Sequence, residues 1–194
     1  MERIIKITVI LALLCVLIPQ TTQAQCNDDS IVYLKTFYEF QEEHIAEKNN
    51  NICFTIRYES EYPYFFGYAL EDVKSIVDSV MMKNFETVCD TISADYHFAC
   101  LKKTFKNTDN VKIISKEDIE KISGNMFWER FFRTYKCSTG LYSVSPIVYN
   151  ENKTLALFYF YVGYYDIAGG GCFAICEKED DEWKVKEIIM AMQS

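Results

Sequence analysis

Near residue 140 the spacing of apolar residues changes from helical to strand-like, and that change limits the folds open to this chain. Before it, Leu70, Val73, Ile76, Val77, Val80 and Met81 recur at helical spacing. So do Phe85, Val88, Cys89, Ile92, Tyr96, Ala99 and Cys100. Apolar residues at i, i+3, i+4 and i+7 form one face of a helix. The two stripes predict two amphipathic helices that meet near Lys83-Asn84. Ile31, Leu34, Tyr38 and Ile45 predict an earlier helix, capped by Asp28-Asp29-Ser30. A short strand is expected over residues 52–58. Ser115-Lys116-Glu117-Asp118 resembles a capping box, opening a short helix that Gly124 ends. Trp128, Phe131, Phe132 and Tyr135 give the next helix an aromatic face.

After residue 140 the period is two. Strands are expected over residues 141–149, 154–165, 172–179 and 182–192, with turns at Asn150-Glu151-Asn152-Lys153 and Glu179-Asp180-Asp181-Glu182. In the second strand both parities are apolar or aromatic, so both faces are at least partly covered. In the last strand Trp183 and Val185 share a face, whereas Ile188, Met190 and Met192 take the other parity, which predicts a bulge or twist near Glu187. The expected fold is α+β, with N-terminal helices packed on one side of a C-terminal four-stranded antiparallel meander.

Residues 1–24 read as a secretory signal peptide: Arg3 and Lys6, a short apolar run, then Thr22-Gln23-Ala24 as the cleavage site. Neither Cys15 nor Cys26 follows the small residue that lipidation wants. Residues 25–194 are expected to form one domain, exported to the periplasm or cell surface without stable membrane insertion. The whole chain carries a net charge of −8, and losing Glu2, Arg3 and Lys6 makes it one unit more negative. An acidic chain without a basic stripe argues against nucleic acid.

Seven of the eight cysteines lie after residue 24. Cys172 and Cys176, four apart in one strand, are about 13 Å apart and cannot bridge. Cys89 and Cys100 lie in an apolar stripe and are expected as buried thiols. Cys26, Cys53 and Cys137 fall near element edges and are the better disulfide candidates, with partners open. Cysteine catalysis needs a lowered thiol pKa. With only His44 and His97 available, Cys172 with His97 is the pair to consider. No zinc or calcium spacing, nucleophile elbow or metalloprotease helix occurs, so no catalytic residue, metal or cofactor is assigned.

The stretch Ala168-Gly169-Gly170-Gly171-Cys172 lacks the helix that a phosphate-binding glycine loop precedes. It reads as a hairpin loop whose glycines supply positive φ or make room for packing. Tyr159, Tyr161, Tyr164 and Tyr165 either form a binding face or pack under the Trp128 helix. The candidate binding residues are therefore Tyr159, Tyr161, Tyr165, Gly169, Gly170 and Gly171.

The order of Phe127-Trp128, Phe131-Phe132, Tyr135-Lys136, Ser138-Thr139-Gly140, Ser143-Val144-Ser145, Tyr149-Asn150, Ala156-Leu157, Ala168-Gly169-Gly170-Gly171 and Trp183-Lys184-Val185 resembles an uncharacterised family of small exported proteins of Bacteroidota-type bacteria. The resemblance covers about residues 85–194. Cys137 stands where such proteins often have proline, and Pro146 where they often have arginine. It implies export and an α+β fold and supplies no catalytic residues. Asp29-Ser30-Ile31, Asp78-Ser79-Val80 and Asp90-Thr91-Ile92 look like the O-glycosylation acceptors of such bacteria, with Ser30 the expected site. The functional expectation is a non-catalytic module of the cell envelope that binds a protein or glycan. The alternatives are an inhibitor or immunity-type protein against a basic partner, and a cysteine-dependent enzyme.

Overall fold

The computed structural model describes residues 26–42, 52–56, 67–91, 101–105, 111–137, 140–163 and 169–193. The signal-peptide reading of residues 1–24 lies outside them. In chain order the elements are α1 (residues 26–42), β1 (Ile52–Ile56), α2 (Gly67–Ile76), α3 (Ser79–Thr91), α4 (residues 101–104), β2 (Val111–Ile113), α5 (Lys116–Ile122), α6 (Phe127–Tyr135), β3 (Leu141–Val144), β4 (Val148–Tyr149), β5 (Leu155–Gly163), β6 (Gly169–Glu179) and β7 (Glu182–Gln193).

The fold is α+β, and its sheet is larger than a four-stranded meander. The expected strand over residues 141–149 is broken into β3 and β4, both antiparallel to β5, so the meander has five strands. The break follows from Pro146, which has no N–H to give a ladder. Its neighbour Ser145 repairs the gap. The Ser145 N–H donates to the Tyr159 carbonyl at 2.9 Å, and the Tyr159 N–H donates back to Ser145 Oγ at 2.9 Å. The Ser145 carbonyl, turned out of the ladder, accepts from the buried Tyr33 hydroxyl of α1 at 2.6 Å. Beyond β3 the sheet continues through β1, parallel to β3, to β2, parallel to β1. The order is β2-β1-β3-β5-β6-β7, with β4 beside β5.

Helices cover both faces of this sheet, not one. On the first face, α1 sets Tyr33, Phe37 and Phe40 against Tyr142, Phe158 and Phe160. The Phe37 and Tyr142 rings are 4.5 Å apart, and Phe40 and Phe160 are 5.2 Å apart. Cys172, Ala174, Cys176 and Trp183 belong to the same layer. On the second face, Val73 of α2, Val77 between the helices, and Met81 and Phe85 of α3 pack on Leu157, Tyr159, Phe173 and Ile175. Further along, α5 and α6 pack Phe131 against Cys53, Ile114, Cys137 and Leu141. The two apolar parities of β5 are thus both explained by burial.

Two helices present different faces or ends from those expected. In α1 the expected stripe is largely outside, with Ile31 44 % and Tyr38 40 % exposed. The large rings at 33, 37 and 40 have the same helical spacing and bury more area, so they take the inner face. The helix break lies at Val77-Asp78 rather than at Lys83-Asn84, because Asp78 caps α3: its Oδ1 accepts from the Met81 N–H at 2.7 Å. Val80 is consequently exposed.

Local signals hold elsewhere. Asp118 N–H donates to Ser115 Oγ at 3.2 Å, and Ser115 Oγ donates to Asp118 Oδ2 at 3.0 Å. Asp180 and Asp181 both have positive φ, as a two-residue turn of a β-hairpin requires. In β7, Val185 pairs with Cys176 and Glu187 with Ile175, so Lys186 is the extra residue of the expected bulge. Among the described residues no helix is long and apolar enough to cross a membrane.

Candidate functional site

The three consecutive glycines lie inside a strand. Gly169, Gly170 and Gly171 open β6 and pair with Gly163, Val162 and Tyr161 of β5. They make no hairpin loop, and none of the three has positive φ, which among the described glycines belongs to Gly124 and Gly140. The other half of the expectation, room for packing, accounts for Gly169. A Cβ there would overlap the Tyr161 hydroxyl oxygen, lie 2.6 Å from Tyr161 Cζ and 3.0 Å from the Val162 carbonyl oxygen. A Cβ on Gly163 would lie 3.3 Å from Tyr161 Cε1 and 3.4 Å from the Trp128 indole. The Tyr161 ring therefore lies across backbone that has no side chains, a cross-strand diagonal contact within reach of an aromatic ring.

Gly169→Ala is accordingly expected to destabilise by about 1–3 kcal/mol, the usual range for overpacking. In a Tyr161→Ala background the same substitution should cost less, with a coupling of about 0.5–3 kcal/mol in a double-mutant cycle followed by urea denaturation. Additive costs would mean that the ring and the glycine do not share this space.

Tyr161 is half-buried, and Trp128 of α6 is half-buried beside it. Trp128 stacks on Phe132 with ring centroids 5.6 Å apart and packs edge-on to Phe131 at 5.5 Å. Together, Trp128, Gly163, Tyr161 and Gly169 form an aromatic strip where β5 and β6 meet α6. The sequence singled out Trp128 as packing and Tyr161 as binding. Their common neighbour, Gly163, was the signal that joins them.

The other tyrosines have different places. Tyr159 is 2 % exposed and packs edge-on to Phe173 at 5.4 Å, so it is a wall of the core and closed to a ligand. Burial raises its phenol pKa above the ordinary tyrosine range. Tyr164 and Tyr165 lie outside the described residues. Gly169, Gly170 and Gly171 are buried.

Ser30 is 5 % exposed and donates its hydroxyl to the Asn27 carbonyl at 2.8 Å, so the folded helix offers no free acceptor there. Ser79 is exposed at the start of α3. The side chain of Thr91 lies outside the described residues.

The cysteines divide into two sets. Cys53 and Cys137 are bridged, with Cα atoms 6.0 Å apart, and Cys26 is disulfide-bonded. Cys172 and Cys176 are free, fully buried thiols. Burial pushes Cys172 up to about 12 and Cys176 up to about 11. Thr36 Oγ1 lies 3.4 Å from Cys176 Sγ and partly opposes that rise. A thiolate nucleophile needs the opposite shift. Cys89, Cys100, His44 and His97 lie outside the described side chains.

A polar cluster that the sequence did not single out ties α1 to β4. The Tyr149 hydroxyl donates to the buried Asp29 carboxylate at 2.7 Å, and Tyr149 packs on Trp183 at 5.5 Å. Burial, reinforced by Asp29, raises the Tyr149 phenol far above its ordinary value, so it stays a donor at any physiological pH. Among the described residues no group of three or more His, Cys, Asp or Glu is arranged to hold a metal ion. No protein family, curated protein or solved structure matches the chain.

Proposed function

We propose that this chain is an exported binding module of the cell envelope that holds a protein or glycan on its Trp128–Tyr161 strip. The observation that carries the reading is the glycine-cleared strand under Tyr161, flanked by the Trp128 indole. Two half-buried aromatic groups, Tyr161 on the sheet and Trp128 on α6, offer flat apolar area with little ordering cost, and the Tyr161 hydroxyl adds a polar handle. Export is supported by the basic-apolar-small pattern of residues 1–24, by the resemblance to small exported proteins, and by disulfides at Cys26 and Cys53–Cys137, which persist in oxidising compartments. A cysteine-dependent enzyme is disfavoured by the raised, buried thiols.

The test is capture of envelope proteins and glycans by the immobilised oxidised protein, at low and high salt, beside Tyr161→Ala and Trp128→Ala. The expected result is capture that survives salt and falls about tenfold or more in either variant, since truncating an aromatic hot spot costs about 2 kcal/mol or more and about 1.4 kcal/mol is already tenfold. Capture that salt abolishes and both variants retain would instead favour the acidic inhibitor reading, because screening removes long-range charge attraction.

A further inference from the structure

β7 is the outermost strand at one end of the sheet, and its twelve residues contrast with the three of β2 at the other end. Among the described residues its backbone pairs with β6 alone. A long open edge is a template for another strand, and a bulge ordinarily blunts it. Here the bulge at Lys186 has a second consequence. Lys184 and Lys186 reach Glu179 and Glu177 on the α2–α3 face of the sheet. Glu187, opposite Ile175, lies on that same face. Val185 and Ile188 pack towards the α1 layer, as does Trp183. Ile189 and Ala191 return to the α2–α3 layer.

The face pattern therefore inverts about the Lys186–Glu187 peptide bond. In a regular strand, a two-fold axis through a peptide bond would set residues of opposite faces against each other, because the side-chain period is two. With both Lys186 and Glu187 on one face, the same axis matches faces throughout. Lys186 meets Glu187 of a second copy, twice across the axis. Val185 meets Ile188, and Trp183 meets Met190, which lies opposite Cys172 on the α1 face and is 45 % exposed. The next irregularity, between the pairings of Gly171 and Cys172, ends the match near Ala191.

We propose that β7 is a self-complementary edge through which two copies of this chain pair antiparallel, joining their sheets about a two-fold axis between Lys186 and Glu187. Opposite charges directly across a strand pair favour this register and like charges oppose it, and the symmetry doubles either effect. Val185, Ile188 and Met190, left half-covered beyond α1, supply the apolar side of the contact.

The test is sedimentation equilibrium of the oxidised native protein, with Lys186→Glu, Glu187→Lys and the double reversal. Each single change should weaken self-association by about tenfold or more, from two attractions turned to repulsions. The double reversal should restore it. An equimolar mixture of the two single variants should form a mixed dimer, since each then supplies the charges the other needs. Wild-type protein, independently, should show amide-exchange protection over residues 182–191 that rises with concentration. A wild-type chain that stays monomeric from micromolar to millimolar concentration overturns the proposal. So do single variants that dimerise as well as wild type, or well-folded single variants whose mixture does not associate.

Discussion

Replacing Cys53 and Cys137 together by alanine is expected to lower the stability of the oxidised protein by about 2–5 kcal/mol. The two cysteines are 84 residues apart in sequence and both fully buried. Closing a loop of that length removes about 4–5 kcal/mol of chain entropy from the unfolded state. A single domain has only about 5–15 kcal/mol in total, so the loss is a large fraction. The bridge also has a structural task. It fastens β1 to the chain just after α6, and β1 is the strand on which β2 and β3 both register. Hydrogen exchange in β1 and β2 should therefore accelerate more than in β5 and β6. Urea denaturation of the double variant beside wild type gives the energetic comparison. A loss below about 1 kcal/mol would mean that packing around Phe131, not the bridge, holds this end of the sheet.

The second large effect is expected at Phe160. Its side chain is fully buried and meets Phe37 at 6.0 Å, Phe40 at 5.2 Å, Phe158 at 5.9 Å and Tyr142 at 6.2 Å between ring centroids. Phe160→Ala should cost about 3–5 kcal/mol, from lost transfer energy plus a cavity among rings that relax poorly. The contrast with Tyr38→Ala makes the result specific to the face of α1 that docks. Tyr38 is 40 % exposed, and its truncation should stay within about 0.5 kcal/mol. If Tyr38→Ala were as damaging as Phe160→Ala, the stripe of Ile31, Leu34 and Tyr38 would be the inner one and the rotation of α1 described above would fail.

The particular residues that misled the sequence reading share a physical cause. Capping at Ser115 and Asp118, the turn at Asp180-Asp181 and the bulge at Lys186 are fixed by neighbours a few positions away, so they are legible in the chain. The unbridgeable spacing of Cys172 and Cys176 follows from strand rise alone. By contrast, α1 carries two usable apolar stripes, and only the rings of Tyr142, Phe158 and Phe160 decide between them. The three-residue β2 has too short a pattern to announce itself, and it exists because β1 offers an edge. The two apolar parities of β5 did read as coverage of both faces, but which helices supply it depends on distant packing. At the candidate site, Trp128, Tyr161 and Gly169 were visible, but Gly163 and the arrangement were not. Tyr161 crosses Gly169 on the next strand and shares Gly163 with Trp128 on a distant helix. Such diagonal contacts depend on register, which one strand's sequence cannot set alone.

The central claim is that the oxidised cysteines of this chain act as staples and that its free thiols Cys172 and Cys176 belong to the core, on which the proposed recognition role rests. Mass-spectrometric thiol mapping of the native protein, at about pH 6 and about pH 8 and before and after denaturation, tests it most directly. The account predicts a chain starting after Ala24, Cys53 linked to Cys137, Cys26 oxidised, and Cys172 and Cys176 alkylated only once the protein is unfolded. The same burial sets the sign of the pH dependence. Below about pH 8.5 folded and unfolded thiols both hold their protons and stability is unaffected. As the pH rises from there towards 11 and 12, only the unfolded thiols ionise, so stability falls. Rapid alkylation of Cys172 in the native protein at about pH 6 would contradict the account and make an activated thiol beside the glycine strand the centre of its chemistry.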